Sequence, residues 1–194
     1  MSGTLLDDYL PKFDVRNCFA TRIAASPARV YASLKTANFD YWGLTRALYA
    51  LRTLPTVLVA PRDTWRRFRE ALGRQHATLQ DMLAEGFIVL AERPGEELLL
   101  GTVGRFWRAH GELCVTTPAR FHDPAPAGTA KAAWNFAVSR RPDGATELWT
   151  ETRILCADAA TRRRFRAYWV LIKPASGWIR REMLAAVRSA AENN

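Results

Sequence analysis

The chain has 194 residues, 48% apolar and 24% charged, with a net charge of +9, which suits one domain with a real core rather than two. Cys18, Cys114 and Cys156 are odd in number and far apart, which excludes a disulfide framework and a CxxC zinc cage and makes reduced cytoplasm the expected setting. The opening MSGTLLDDYLPKFD lacks the basic start and apolar run of a signal peptide, and the most apolar stretch, residues 44–60, is broken by Arg46, Arg52 and Pro55, so no membrane span is expected.

Behind an N-terminal arm of residues 1–12, residues 12–24 alternate. Phe13, Val15, Phe19 and Ile23 share a face with Asn17 and Thr21, while Asp14, Arg16 and Arg22 lie opposite, the pattern of a half-buried antiparallel strand. Ser26-Pro27 supplies an N-cap and a first-turn proline for a short helix through Asn38. Asp40 starts a second, with Leu44, Leu48 and Leu51 on one stripe and Pro55 as its stop. Residues 63–85 read as an additional amphipathic helix striped by Trp65, Phe68, Leu72 and Leu79.

The period then changes. Residues 87–92 and 97–107 are strands joined by Arg93-Pro94-Gly95-Glu96, which has the proline and glycine of a type II turn. Short strands are expected at 113–115 and 120–122, and a loop at 123–128. Residues 129–141 and 145–156 form a hairpin around Pro142-Asp143-Gly144. A three-residue turn puts Arg141 opposite Ala145, Phe136 opposite Thr150, Trp134 opposite Thr152 and Ala132 opposite Ile154. A two-residue turn would instead put Trp149, Glu151 and Arg153 on the Trp134 face. The first register is favoured because it gathers Asn135, Glu147, Glu151 and Arg153 on a wettable face.

Asp158 caps the last element, a helix over 159–191 about 45 Å long. Phe165, Trp169, Ile172, Ser176, Ile179, Met183 and Val187 follow a three-four spacing along one face, and Arg162, Arg163, Arg164, Arg166, Arg180, Arg181 and Arg188 make much of the rest basic. Pro174 followed by Ser176-Gly177 predicts a bend. A strand, helices, hairpin-linked strands and one long helix make an α+β fold in one domain, 1–194, with a curved six- to seven-stranded antiparallel sheet.

This order resembles the helix-grip fold of the START-like (SRPBCC) superfamily, which includes polyketide cyclases and lipid-transfer domains. The likeness covers nearly the whole chain from Asp14. It is carried by Ser-Pro-Ala-Arg-Val-Tyr (26–31), Gly-Thr-Val-Gly-Arg-Phe-Trp (101–107), Leu-Trp-Thr-Glu-Thr-Arg-Ile (148–154), Arg-Phe-Arg-Ala-Tyr-Trp (164–169) and Ile-Lys-Pro-Ala-Ser-Gly-Trp-Ile-Arg-Arg (172–181). It implies an apolar ligand held between sheet and C-terminal helix, and it brings no shared catalytic residues. The additional helix at 63–85 exceeds what the simplest members carry.

His76, His110 and His122 have no ligand spacing, and GxSxG, P-loop and dinucleotide motifs are absent, so no metal or cofactor is expected. The candidate ligand-binding wall is Trp134 and Phe136 with the hydroxyls of Thr150 and Thr152, lidded by Trp169, Ile172 and Ser176. The alternative is that these side chains meet and fill the space. Arg105 and Glu151 are ordinary cross-strand charges on the outer face, or, in the other register, groups that orient a ligand or supply acid/base chemistry. The expected partner is a hydrophobic small molecule or lipid, with carriage or sensing ahead of cyclase-like catalysis. An anionic surface bound by the last helix is a third reading; nucleic acid is not expected, because the aromatics fall on the apolar stripe.

Overall fold

Alternating side chains place each strand's apolar half against a helix, and the turn residues decide which strands pair. The computed structural model describes residues 3–39, 78–84, 86–105, 107–108 and 112–193. The helix expected from Asp40, and the expected additional helix as far as residue 77, lie outside the described residues. In chain order the elements are α1 (Leu5–Tyr9), β1 (Val15–Ile23), α2 (Pro27–Thr36), α3 (Leu79–Ala84), β2 (Ile88–Arg93), β3 (Glu97–Arg105), β4 (Glu112–Cys114), a 3-10 turn (Arg120–His122), β5 (Ala130–Arg140), β6 (Thr146–Cys156) and α4 (Ala159–Asn193). The fold is α+β: a six-stranded antiparallel sheet in the order β1-β6-β5-β3-β2, with β4 on β3 and the long α4 packed against one face.

Turn chemistry fixes the pairings. Gly95 has φ 81° and the Glu96 amide donates to the Arg93 carbonyl at 2.9 Å, as a type II turn requires. Gly144 has φ 83° and the Arg141 amide donates to Ala145 O at 2.8 Å, so the hairpin closes on three residues. Trp134 therefore faces Thr152 and Ala132 faces Ile154. Between Trp134 and Ala137 the ladder changes hands without losing register. There the Glu151 amide donates to the Asn135 side-chain oxygen at 2.8 Å, and the Thr150 hydroxyl to the Asn135 carbonyl at 2.6 Å.

α4 starts where expected. Asp158 accepts from the Thr161 amide at 2.7 Å and from the Gly128 amide at 2.8 Å, and these bonds, led by Thr161, hold its carboxyl down to about 2. The helix continues through Pro174 to Asn193.

Three expectations change. Residues 120–122 form a 3-10 turn rather than a strand, because fully buried Phe121 plugs the sheet's far side, where Lys131 donates to its carbonyl at 2.5 Å. Phe13 precedes β1 and leaves its face, lying 4.9 Å from the Arg153 guanidinium instead. The wettable face is mostly not wet: Asn135, Glu151 and Arg153 are buried. The N-terminal arm covers that face, with Leu5, Leu6 and Leu10 packed on Leu90, Leu99 and Ala133. Both faces of the sheet are therefore covered, one by α4 and α2 and the other by the arm and the 3-10 turn.

Candidate functional site

Antiparallel register turns the sheet into rows of side chains, and on the α4 face three rows matter. The first is Val15–Ile154–Ala132, the second Asn17–Thr152–Trp134–Leu100, and the third runs from Phe19 to Thr150. Phe165 and Trp169 pack with Ala132 and Ile154 of the first row. Gly177 lies against Phe19 of the third, so close that a Cβ there would sit 3.0 Å from Phe19 Cζ. The intervening turn of α4, Ile172 to Ser176, therefore crosses the second row.

Packing on this face is uneven along the helix. Phe165 and Met183 are 1% and 2% exposed, and Ala175 and Gly177 between them are buried too, whereas Trp169, Ile172, Ser176 and Ile179 are half-buried. The buried apolar residues fall into two groups, one around Phe165 and Ala132, the other around Met183, Leu98 and Phe136. Trp134 and Leu100 of the second row belong to the Met183 group, and Ile172 belongs to neither. Thr152 is partly exposed although its strand is flanked on both sides, while Thr150 on the same face of β6 is sealed. The second row is therefore less tightly covered at Thr152 than the third is at Thr150.

The polar groups of that row lack partners. Trp134 is 5% exposed and its indole Nε1 is buried with no hydrogen-bond acceptor. Among the described residues, the side chains of Asn17, Thr152 and Ser176 also make no hydrogen bond. Most buried donors in folded proteins are bonded, so a buried indole N–H without an acceptor beside three unengaged polar side chains is unusual. The ring of Trp134 is held firmly: Phe87 meets it edge-on at 4.8 Å, and the Arg180 guanidinium lies 4.9 Å from its centroid.

The expected residues thus separate. Trp134 and Thr152 are paired in the second row, Trp169 packs at the first, and Ile172 and Ser176 lie on the turn of α4 between the contacts at Trp169 and Gly177. Phe136 is fully buried in the Met183 group, and Thr150 spends its hydroxyl on Asn135, so both are wall rather than handle. Arg105 and Glu151 are on the opposite face. Arg105 donates to Gly128 O at 3.0 Å and to Glu112 at 3.2 Å. Glu151 takes two bonds from Arg16, at 2.9 and 2.8 Å, and one from Arg153 at 2.6 Å. Burial opposes its charge, but the Arg16 and Arg153 bonds outweigh that, and its carboxyl is held below the usual range. Neither residue meets the open row.

Sequence reasoning missed Asn17 and Arg180 as site residues. Asn17 was legible from the alternation of β1 and its register with Thr152; Arg180 was assigned to the basic face, and its long side chain reaches back over the tryptophan. That basic face is itself divided. Arg162 pairs with Asp14, Arg188 pairs with Glu192, and Arg181 lies over Phe19, while Arg163, Arg164, Arg166 and Lys173 are exposed without an ion pair among the described residues. A second recess, an open groove of about 400 Å³ between β1 and the last turns of α4, has its Arg188 and Glu192 already joined and presents no unpartnered buried group. No group of three or more metal-ligating side chains occurs among the described residues, and no helix among them is long and apolar enough to cross a membrane. No family model matches the chain, and no curated protein is similar to it.

Proposed function

We propose that this protein binds a hydrophobic small molecule or lipid in the cleft between α4 and the second row of the sheet, as a carrier or sensor. The observation that carries the reading is the unsatisfied polar pair on this face: the buried Trp134 indole N–H has no acceptor among the described residues, and Thr152 opposite it is partly exposed. Buried donors are normally bonded, and an apolar recess with few polar groups is the usual form of a small-molecule site. The START-like resemblance supports the same reading. The cyclase-like alternative has less support, because the ionisable candidates Arg105 and Glu151 are engaged on the other face. Native mass spectrometry of gently purified protein should find a co-purified apolar mass, and Ile172→Trp, which fills the cleft, should abolish it. A bare chain mass together with no uptake of Nile red would sink the proposal.

A second reading has its own observation. Val170 and Leu171 are 77% and 63% exposed, and Arg163, Arg164, Arg166 and Lys173 stand around them. Two aliphatics ringed by cations suit the interface of an anionic bilayer. Co-sedimentation with phosphatidylserine vesicles should fall with salt and with Leu171→Glu; equal binding to neutral vesicles would remove the electrostatic part.

A further inference from the structure

Resting on the cleft reading above, we infer that the ligand presents an uncharged carbonyl oxygen to the Trp134 indole N–H, with Thr152 as its second contact. The indole nitrogen is a donor only, so whatever satisfies it is an acceptor. It is buried and bonded to nothing, and the ring cannot swing away to find water, since Phe87 and Arg180 hold its edge and face. Thr152 stands opposite it across β5 and β6, with a hydroxyl that makes no hydrogen bond, and Asn17 follows on β1. Side chains directly opposite in an antiparallel pair are close enough to share one ligand group. An indole N–H and a hydroxyl on paired residues suit the two lone pairs of one carbonyl oxygen.

The row also argues against an anion. Asn17, Thr152 and Trp134 are neutral, as are Ile172 and Ser176 on the α4 turn between the Trp169 and Gly177 contacts. A carboxylate seated there would be desolvated without a cation in the row. The Arg180 guanidinium stacks on the tryptophan face and donates to the Met183 sulfur at 3.6 Å. That geometry applies its charge to the ring's π-face rather than to the position in front of Nε1.

Three probes with one ring system separate the possibilities: 2-ethylnaphthalene, 2-acetylnaphthalene and 2-naphthoate, titrated calorimetrically against the full chain. The ketone should bind about tenfold more tightly than the hydrocarbon, the worth of one net hydrogen bond in a dry site, and the carboxylate more weakly than the ketone. Trp134→Phe should erase the ketone's advantage over the hydrocarbon, read as the ratio of the two affinities in the same variant. Thr152→Val, which keeps shape and fold, should reduce the advantage about threefold. In ¹H–¹⁵N spectra of the unaltered protein, the Trp134 indole proton should move downfield with the ketone and not with the hydrocarbon, a readout that needs no variant. Equal affinity for ketone and hydrocarbon, an indole signal indifferent to the ketone, or tightest binding of the naphthoate would each overturn the inference while leaving the cleft intact. Failure of all three probes to bind would overturn the ligand-binding reading itself and this inference with it.

Discussion

The two faces of the sheet use similar polar side chains in opposite ways. Under the N-terminal arm, the groups form a closed set. Glu97 accepts from the Leu5 amide at 3.0 Å and from Asn135 at 2.6 Å, and Glu151 is held between Arg16 and Arg153. Arg153 continues to the Leu10 carbonyl at 3.2 Å and to Asp7 at 2.8 Å. Under α4, the side chains of Asn17, Thr152 and Trp134 make no hydrogen bond among the described residues. A closed polar set is how a protein clamps one segment to another. An open one beside apolar walls is how it leaves a place for something else. On the proposed function one face is structural and the other binds, and that contrast can be broken residue by residue.

The largest effect belongs to the closed face. Glu151→Ala strips Arg153, whose side chain is 8% exposed, of its shortest partner. Breaking a buried pair typically costs about 3–5 kcal/mol, and about 3 kcal/mol is expected here because Arg153 keeps Asp7. Urea unfolding should show this as a lower midpoint, and a change under about 0.5 kcal/mol would mean the arm is not held by this network. Ligand binding under α4 should be unaltered in the folded fraction.

Acid should loosen the same face more gently. The hydrogen bonds from Thr4 and then Arg153 lower Asp7 below its ordinary 3.8, and Glu151 lies below its ordinary 4.5. Groups depressed on folding stabilise fully above their unfolded values, and that contribution fades as the pH falls through them toward the folded values. Stability should therefore be level above about pH 5.5 and decline below about pH 4.5. In Glu151→Gln the decline should be shallower; an identical slope in the two proteins would assign the acid sensitivity elsewhere.

Within one face the comparison tightens to two threonines on β6. Thr150 donates to the Asn135 carbonyl at 2.6 Å and is 1% exposed. Thr150→Val deletes that bond and leaves the carbonyl short of a partner in a dry place, a loss of about 1–3 kcal/mol in urea. Less than about 0.5 kcal/mol would show that the Asn135 crossover does not need the hydroxyl.

Much of this geometry was legible in the sequence, and the parts that were not share a cause. Pro142-Asp143-Gly144 dictated the turn, the turn dictated the register, and the register put Trp134 beside Thr152. Asp158 and the three-four stripe located α4. Those are local rules acting within a few residues. The arm's role is not legible in the sequence, because Leu5, Leu6 and Leu10 make too short a pattern to announce that they cover a sheet. Glu151 and Arg153 were read as wet because charged residues usually are; only the arm's position, set by contacts more than eighty residues apart such as Leu5 to Glu97, makes them buried. Likewise the register could place the Trp134 ring but not reveal that its N–H lacks an acceptor, which depends on everything packed around it at once.

The smallest expected effect is also the most discriminating. Thr152→Val swaps a hydroxyl that bonds to nothing for a methyl of nearly the same shape, so no hydrogen bond is lost and apolar contact is gained in a half-dry cleft. The ligand-free protein should be unchanged or up to about 0.5 kcal/mol more stable, opposite in sign to Thr150→Val two residues away. A polar group whose removal leaves the empty protein no worse is one that folding does not use. A measured loss above about 1 kcal/mol would mean that Thr152 has a partner in solution, and the distinction between the two faces would then fail at its central residue.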